Sequence, residues 1–396
     1  MRQLTVLVFL LVTACQTNSV TIERNDAVAV KVDTANFVLN SDATYRSLAE
    51  IENKNPPGCE VYLISAFTSS MELLPGVDYS AVTDTGSTSL VRNHSAWTTQ
   101  SEGLHRSALI ARLTKDEKLA NKVIDQMVAY SEIEMLMDTI DPYIAHNQKC
   151  WKSAGSSCPF FRPETASHFI NAAIQSAIML REWLEKEPAK KKIIDAWLDD
   201  GFIYVKGVAD LMGTGPNGGF NEYANGKSGV LFYAIYKNDP DLFLDYAKRG
   251  IADINSKLDD EGLIFNNSFR GSRAVFYHSL GVDAMFTFGE ILETQGINFF
   301  NHPQLKDRLK QSYAAALKSD EDYKWLEAKG TKGYNFITDD ERSRRSFNSD
   351  STAMQYIGSW RYPDLGATSI ISERFDDSNG LLPTCMFPDR VEKMRQ

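Results

Sequence analysis

The sequence has few cysteines, no surplus of basic residues and no long uninterrupted hydrophobic run. Only 5 of the 396 residues are cysteine, and 42 Lys and Arg stand against 52 Asp and Glu, which gives a net charge of -10. General binding to nucleic acid or to an anionic membrane surface depends on many Lys and Arg contacts, so this charge argues against both. An anionic ligand must therefore bind at a local basic site. No segment after the N-terminus is apolar over the roughly 20 residues that a transmembrane helix needs.

Four cysteines remain besides Cys15, and their spacing matches no metal-binding pattern. They are Cys59, Cys150, Cys158 and Cys385. In an oxidising compartment Cys150 and Cys158 can close a short loop through the small residues of CWKSAGSSC. No histidine pair lies near them, so we expect no zinc site.

Residues 1–14 have the parts of an export signal. Arg2 supplies a short basic region, an apolar run extends from Leu4 to Val12, and the sequence VTAC ends at Cys15. The apolar run is too short for a stable membrane-spanning anchor. VTAC resembles a bacterial lipobox, in which the cysteine becomes the lipidated first residue of the mature protein. The alternative is an ordinary signal peptide with an incidental cysteine, and both interpretations predict export.

Lipidation of Cys15 would anchor the protein to the periplasmic face of a bacterial membrane or to the cell surface. Mostly polar residues follow this cysteine. We therefore predict a tether over residues 15–30 and a single domain over residues 31–396.

Most of the remaining chain has the pattern of amphipathic helices. From about Ser101 onward, apolar residues recur at spacings of three and four. Further helix candidates are Ser228–Lys237, Asp241–Leu258, Arg273–Glu293 and Gln304–Leu317. Gly- and Pro-rich stretches such as GTGPNGGFNEYANG separate the helices, and the strand signals in CEVYLISAF and EGLIFNNSF are weaker. The sequence predicts an all-α fold of antiparallel helices with few short strands.

The stretch FRGSRAVFYHS, residues 269–279, concentrates basic and aromatic side chains in an acidic chain. If the segment is helical from about Arg270, then Arg270, Arg273 and Tyr277 project from one face. His278 lies about 100° around the helix from Tyr277. The alternative is a solvated face on which the arginines pair with acidic neighbours.

Arginine and tyrosine together suit proton removal from C5 of a uronic acid. The adjacent carboxylate opposes the reaction because it is already negative, and arginine neutralises it with two parallel hydrogen bonds. A tyrosine can act as base or acid when nearby cations lower its pKa from about 10. One helix face would then supply both functions.

The segment from Asp241 to Phe288 resembles the alginate lyases of polysaccharide lyase family 5 and the wider alginate lyase superfamily. It contains DLF from Asp241, EG from Glu261 and RGSRAVFYH from Arg270, which match the family's motifs in order. The resemblance implies an incomplete α/α toroid or barrel of antiparallel helical hairpins.

The resemblance also assigns roles to the cluster. Arg270 matches the family's carboxylate-binding arginine and Tyr277 its catalytic tyrosine. Arg273 and His278 also match and are expected to bind substrate, with Arg273 alternatively supporting Tyr277. No metal or organic cofactor is expected, because positioned side chains supply the electrostatics.

The sequence departs from the family where the lyases have an Asn-Asn-His segment. In FNEYANG, Asn221 or Asn225 can stand for the asparagine, and Glu222 nearly occupies the place of the histidine. We expect Asn221 to be catalytic and Asn225 to bind substrate.

Another residue must then take the role of that histidine. His94 in VRNHSAW is the preferred catalytic candidate, since a polar run beside Trp97 suits a sugar-binding wall. His168 in ETASHF is a second candidate and is expected to line the cleft.

The sequence thus predicts a polysaccharide lyase that cleaves alginate or a similar anionic polyuronate by β-elimination. One alternative is a glycoside hydrolase of the toroid type, for which Glu222, Asp259, Asp260 and Glu261 are available carboxylates. The run from Asp259 to Glu261 is more typical of a solvated turn. Another alternative is a non-catalytic glycan-binding lipoprotein.

Overall fold

The computed structural model describes residues 37–40, 71–73, 87–137, 140–147, 163–211, 220–330, 354, 357–358 and 361–365. Within these ranges, the side chains at 87–99, 113, 221–223 and 272 are not described. The predicted signal sequence, the lipidation site at Cys15, the tether and the other four cysteines lie outside the described residues.

Helices make up nearly all of the described chain. In order they are α1 (Ser87–Thr114), α2 (Glu117–Glu132), α3 (Pro142–Asn147), α4 (Pro163–Met179), α5 (Arg181–Leu184), α6 (Pro188–Leu211), α7 (Phe220–Lys237), α8 (Pro240–Lys257), α9 (Ala274–Thr294), α10 (Lys306–Glu321) and α11 (Tyr323–Glu327). Two short 3-10 helices cover Gly271–Arg273 and Pro363–Leu365. The predicted all-α architecture is confirmed.

Local signals in the sequence set several helix starts. Lys115 has a positive φ of 55° and ends α1, and the side chain of Asp116 then accepts the Leu119 N–H to cap α2. Asp239 caps α8 in the same way, with Pro240 in the first turn, where its missing N–H costs no hydrogen bond.

The helices form antiparallel hairpins around one large hydrophobic core, and a second, smaller hydrophobic cluster is separate from it. Helix α7 packs against α6, α8 and α9, while α4 packs against α1 and α6. Because consecutive helices lie side by side, they alternate in direction. The start of α7, the end of α8 and the start of α9 therefore meet at one end of the bundle. Large buried side chains such as Phe169, Tyr130 and Trp197 fill the interior.

The connection between α8 and α9 carries the strand-like sequence EGLIFNNSF. In the described residues it forms a single antiparallel bridge between Leu258 and Ile264, and no strand. Gly262 and Asn266 have positive φ values of 77° and 67°, which turn the chain sharply on both sides of Ile264. The weak strand signal in this segment therefore corresponds to one bridged residue pair and not to a strand.

In the described part of the chain, no helix is both long and apolar enough to cross a membrane.

Candidate active site

Arg270, Arg273 and Tyr277 lie together at the start of α9. The guanidinium carbon of Arg270 is 3.9 Å from the centroid of the Tyr277 ring, and that of Arg273 is 4.9 Å away. Both distances are within the range of cation–π interactions. The sequence spacing of Arg270, Arg273 and Tyr277 predicts that their side chains lie close together, and they do. The backbone achieves it through the 3-10 helix at Gly271–Arg273, followed by α9, and not through one continuous α-helix.

The two arginines have positive charges that no described carboxylate neutralises. Within the ranges that the structure covers, neither guanidinium forms an ion pair, although many other basic residues do. Arg270 is 8% exposed, and its Nε donates a 2.7 Å hydrogen bond to the Asn266 carbonyl. The Nε of Arg273 has no hydrogen-bond acceptor among the described residues. The alternative of two arginines paired with acidic neighbours is therefore not observed there.

His278 is fully buried beside this cluster. Its Nδ1 lies 2.8 Å from the Ser268 Oγ, and its Nε2 lies 3.1 Å from the Ser312 carbonyl oxygen. Because a carbonyl can only accept, Nε2 donates to Ser312, and Nδ1 accepts from the hydroxyl of Ser268. Burial lowers the pKa of His278 to about 4, although the bond to Ser312 acts in the opposite direction.

The predicted role of His278 in substrate binding is not supported by this placement. A side chain with no exposed surface and both ring nitrogens engaged has no atom left for a sugar. Its physical role is to tie the start of α9 to Ser268 and to Ser312 of α10.

Asn267 joins the start of α7 to the start of α9 and was not identified from the sequence. Its Oδ1 accepts the Phe220 N–H at 2.9 Å, and its Nδ2 donates to the Tyr277 carbonyl at 2.7 Å. The signal in the sequence is a pair of asparagines and a serine, residues 266–268, which precede Phe269 and Arg270. Their separation from Phe220 by 47 residues hides the contact from any local pattern.

The remaining predicted site residues lie on three helices. Asn221 is the second residue of α7, and Asn225 is half-buried one turn further along that helix. His168 is exposed on α4. His94 and Trp97 are in α1, and their side chains, like that of Asn221, are outside the described part of the chain.

The carboxylates considered for hydrolysis form a turn where they are described. The Oδ1 of Asp259 accepts the N–H groups of Glu261 at 2.9 Å and Leu263 at 2.8 Å. Glu261 forms an ion pair with Lys329. This agrees with the interpretation of the acidic run as a turn, while the side chain of Glu222 is not described. No group of three or more metal-ligating side chains was found among the described residues.

Comparison with known proteins finds similarity to alginate lyases both in sequence and in structure. A family model described as alginate lyase matches residues 41–325. The structure of alginate lyase A1-III from Sphingomonas species A1 is similar, with a TM-score of 0.59 and 11% identity over 87% of this chain and 95% of that one. An alginate lyase from Bacteroides ovatus is also similar, with a TM-score of 0.59 and 14% identity over 88% of this chain and 99% of that one.

A third similar structure is a single-residue variant of alginate lyase A1-III complexed with tetrasaccharide, with a TM-score of 0.59 and 11% identity over 87% of this chain and 95% of that chain. No curated protein sequence matches the chain. At these identities the likeness shows the fold alone, and it confirms the predicted α/α toroid.

Proposed function

Because the chain belongs to the alginate lyase family and is a polysaccharide lyase, we propose that it cleaves alginate or a closely similar polyuronate. Three similar solved structures are alginate lyases, and one of them is complexed with a tetrasaccharide. The observation that supports this substrate class in the present chain is the pair of arginines beside Tyr277. Their unneutralised charges suit a polymer with one carboxylate on each sugar.

In the proposed reaction, Arg270 neutralises the carboxylate of the sugar next to the bond that breaks. Its Nε is occupied by the Asn266 carbonyl, so the terminal nitrogens of the guanidinium remain for the substrate. Asn221, at the start of α7, donates a second hydrogen bond to the same carboxylate. Neutralisation stabilises the negative charge that develops when the C5 proton leaves.

Tyr277 is the proposed proton-transfer residue. Its phenolate oxygen takes the proton from C5, and the electron pair of the C5–H bond forms the C4–C5 double bond. The bond between C4 and the glycosidic oxygen then breaks, and that oxygen takes a proton from the tyrosine hydroxyl. The products are a new chain end on one fragment and an unsaturated uronate at the non-reducing end of the other.

Arg273 lies beside the same ring and is proposed to bind the sugar or to support Tyr277. Its guanidinium carbon lies 4.9 Å from the ring centroid, so it adds a second positive charge beside the side chain that transfers the proton.

The test is the ultraviolet absorbance of unsaturated uronates, followed while the soluble domain acts on mannuronan, guluronan, glucuronan and glycosaminoglycans separately. We expect absorbance to rise with mannuronan or guluronan. New reducing ends without absorbance would show hydrolysis, and binding without either product would show a non-catalytic role. Both results would overturn the proposal.

We also propose that the protein is exported and anchored through a lipid on Cys15. The support is the sequence alone, with a short apolar run followed by VTAC. Labelled fatty acid should enter the wild-type chain in a bacterial host and should not enter a Cys15→Ser variant. Equal labelling of both chains would exclude Cys15 as the lipidation site.

A further inference from the structure

Three consecutive residues, Asn266, Asn267 and Ser268, form hydrogen bonds with residues of the candidate active site. The carbonyl of Asn266 accepts from Arg270, the amide of Asn267 bonds to the backbone of Tyr277, and the hydroxyl of Ser268 bonds to His278. All three residues are buried, with exposures of 3% or less. We refer to residues 266–268 as the Asn-Asn-Ser segment.

Asn267 is the member that also reaches a second helix. The N–H of Phe220 at the start of α7 has no partner within its own helix, and the Oδ1 of Asn267 satisfies it. The Nδ2 of the same amide donates to the Tyr277 carbonyl in the first turn of α9. One planar side chain thus fixes the spacing between the two helix starts.

The packing around Asn267 leaves it little freedom to move. A Cβ atom on Gly281 would lie 3.0 Å from the Asn267 Nδ2 and 2.6 Å from the Ile264 Cδ1. The glycine therefore permits the close approach of the amide to α9. With no exposed surface, Asn267 has no route to a substrate of its own.

We propose that Asn267 is a positioning residue for the elimination reaction, which sets the start of α7 and its Asn221 at the correct distance from Tyr277. This inference rests on the proposed function. The carboxylate-binding asparagine and the proton-transfer tyrosine are on different helices, so their separation depends on what joins those helices. A misplacement of about 1 Å can lower a rate by about 100-fold.

The test compares Asn267→Ala with Gln295→Ala. Gln295 is a matched control, because its Oε1 also accepts one backbone N–H, at 2.8 Å from Asn40, and its Nε2 also donates to one carbonyl, at 3.1 Å. It is 7% exposed and lies at the opposite end of α9 from Tyr277. Both substitutions remove a buried amide with two backbone bonds.

We expect Asn267→Ala to lower kcat by roughly 10- to 100-fold with a smaller change in KM, at a temperature where both variants are folded. Gln295→Ala should keep the wild-type kcat while losing comparable thermal stability. A kcat within twofold of wild type for Asn267→Ala would overturn the proposal. So would a rise in KM alone, because it would indicate a loss of uniform substrate binding.

A nearly isosteric variant covers the case in which Asn267→Ala does not fold. Asn267→Leu has nearly the same shape but neither accepts the Phe220 N–H nor donates to the Tyr277 carbonyl. We expect the same loss of kcat, and wild-type kcat in this variant would refute the positioning role.

A double-mutant cycle with Asn221→Ala identifies the path of the effect. If Asn267 acts through the start of α7, its substitution should cost less in kcat when Asn221 is already alanine. Additive losses would contradict that path. A different result would contradict the proposed function itself. A fully active Tyr277→Phe would show that Tyr277 is not the base. An inactive Tyr277→Phe together with a fully active Asn267→Ala would contradict only the positioning role of Asn267.

Discussion

Arg270 is held between the ring of Tyr277 and the carbonyl of Asn266. Its guanidinium carbon is 3.9 Å from the ring centroid, and its Nε donates to the carbonyl at 2.7 Å. The side chain is 8% exposed, so it has little freedom to leave this position. An arginine fixed in advance loses less entropy when it binds a carboxylate, which favours a catalytic over a solvated role.

Replacement of Tyr277 by Phe should give a folded, nearly inactive protein. The ring remains to contact both arginines, and only the hydroxyl that transfers the proton is lost. General acid–base catalysis contributes about 100- to 10,000-fold, so we expect kcat to fall at least 100-fold. Absorbance of the unsaturated product measures the rate, and circular dichroism with thermal unfolding checks the fold. Retention of more than a tenth of the wild-type kcat would remove Tyr277 as the base.

Replacement of Arg270 by Lys should lower activity although the positive charge is kept. Lysine lacks the planar fork that binds a carboxylate through two parallel bonds, and it also lacks the Nε that bonds to Asn266. We expect kcat/KM to fall by roughly 10-fold or more, corresponding to about 1.4 kcal/mol.

Arg273→Lys is the matched comparison for this prediction. Arg273 lies farther from the ring centroid, at 4.9 Å, and its Nε has no acceptor in the described part of the chain. We therefore expect a smaller loss of kcat/KM on the same polymer. A larger loss for Arg273→Lys would assign the carboxylate to Arg273.

The sequence was sufficient to predict the helices and the grouping of Arg270, Arg273 and Tyr277, because both depend on local periodicity. The helix predicted from Asp241 to Leu258 is observed as Pro240–Lys257, and the one predicted from Arg273 to Glu293 as Ala274–Thr294. The 3-10 turn before α9 was not predicted. Gly271 has a positive φ of 56° there, which no periodic pattern reveals.

The environment of His278 and the contacts of Asn267 could not be predicted, because both depend on residues distant in sequence. Ser312, which accepts from His278, is 34 residues away on another helix. A sequence motif shows which residues are neighbours along the chain, but tertiary packing determines which of their side chains are buried. His278 therefore matched the family motif, while its buried position is set by tertiary packing.

The contribution of two buried histidines to stability should fall as the pH decreases from about 6.5 to about 4. Burial lowers the pKa of His278 and also of His105 to about 4, against an ordinary value of 6.5. Between these values the unfolded chain binds more protons than the folded one, so acid favours unfolding. The stabilisation that the two buried, neutral histidines contribute is complete above about pH 6.5 and is lost as the pH falls through about 4. A shift of this size corresponds to roughly 3 kcal/mol for each histidine.

Urea unfolding of wild type and His278→Gln at pH 4.5 and 7.5 tests this dependence. The variant should be less stable at pH 7.5, since it disturbs the bonds to Ser268 and Ser312. Its loss of stability between the two pH values should nevertheless be smaller than that of wild type. An equal loss in both proteins would mean that His278 does not contribute to acid unfolding.

Arg361 should stabilise the fold strongly by joining the chain near its C-terminal end to α9. Its Nε donates to the Glu290 Oε1 at 2.7 Å, and its guanidinium also lies 4.3 Å from the Phe300 ring centroid. Glu290 is 1% exposed, so removal of the arginine leaves a buried carboxylate without this partner. Loss of one member of a buried pair costs about 3–5 kcal/mol, and we expect Arg361→Gln to approach that range.

Lys310→Ala provides the control, because it breaks an ion pair with Asp364 whose side chains are 43% and 61% exposed. Exposed pairs contribute about 0–1 kcal/mol, so its denaturation midpoint should stay near that of wild type. Glu290 lies 13 residues beyond Tyr277 on α9, or about 20 Å at 1.5 Å per residue. Folded Arg361→Gln should therefore retain its kcat on the polyuronate. Equal small losses of stability in Arg361→Gln and Lys310→Ala would show that the Arg361–Glu290 pair does not hold the segment around Arg361 to α9. A loss of kcat in Arg361→Gln without a loss of stability would instead connect this end of α9 to the active site.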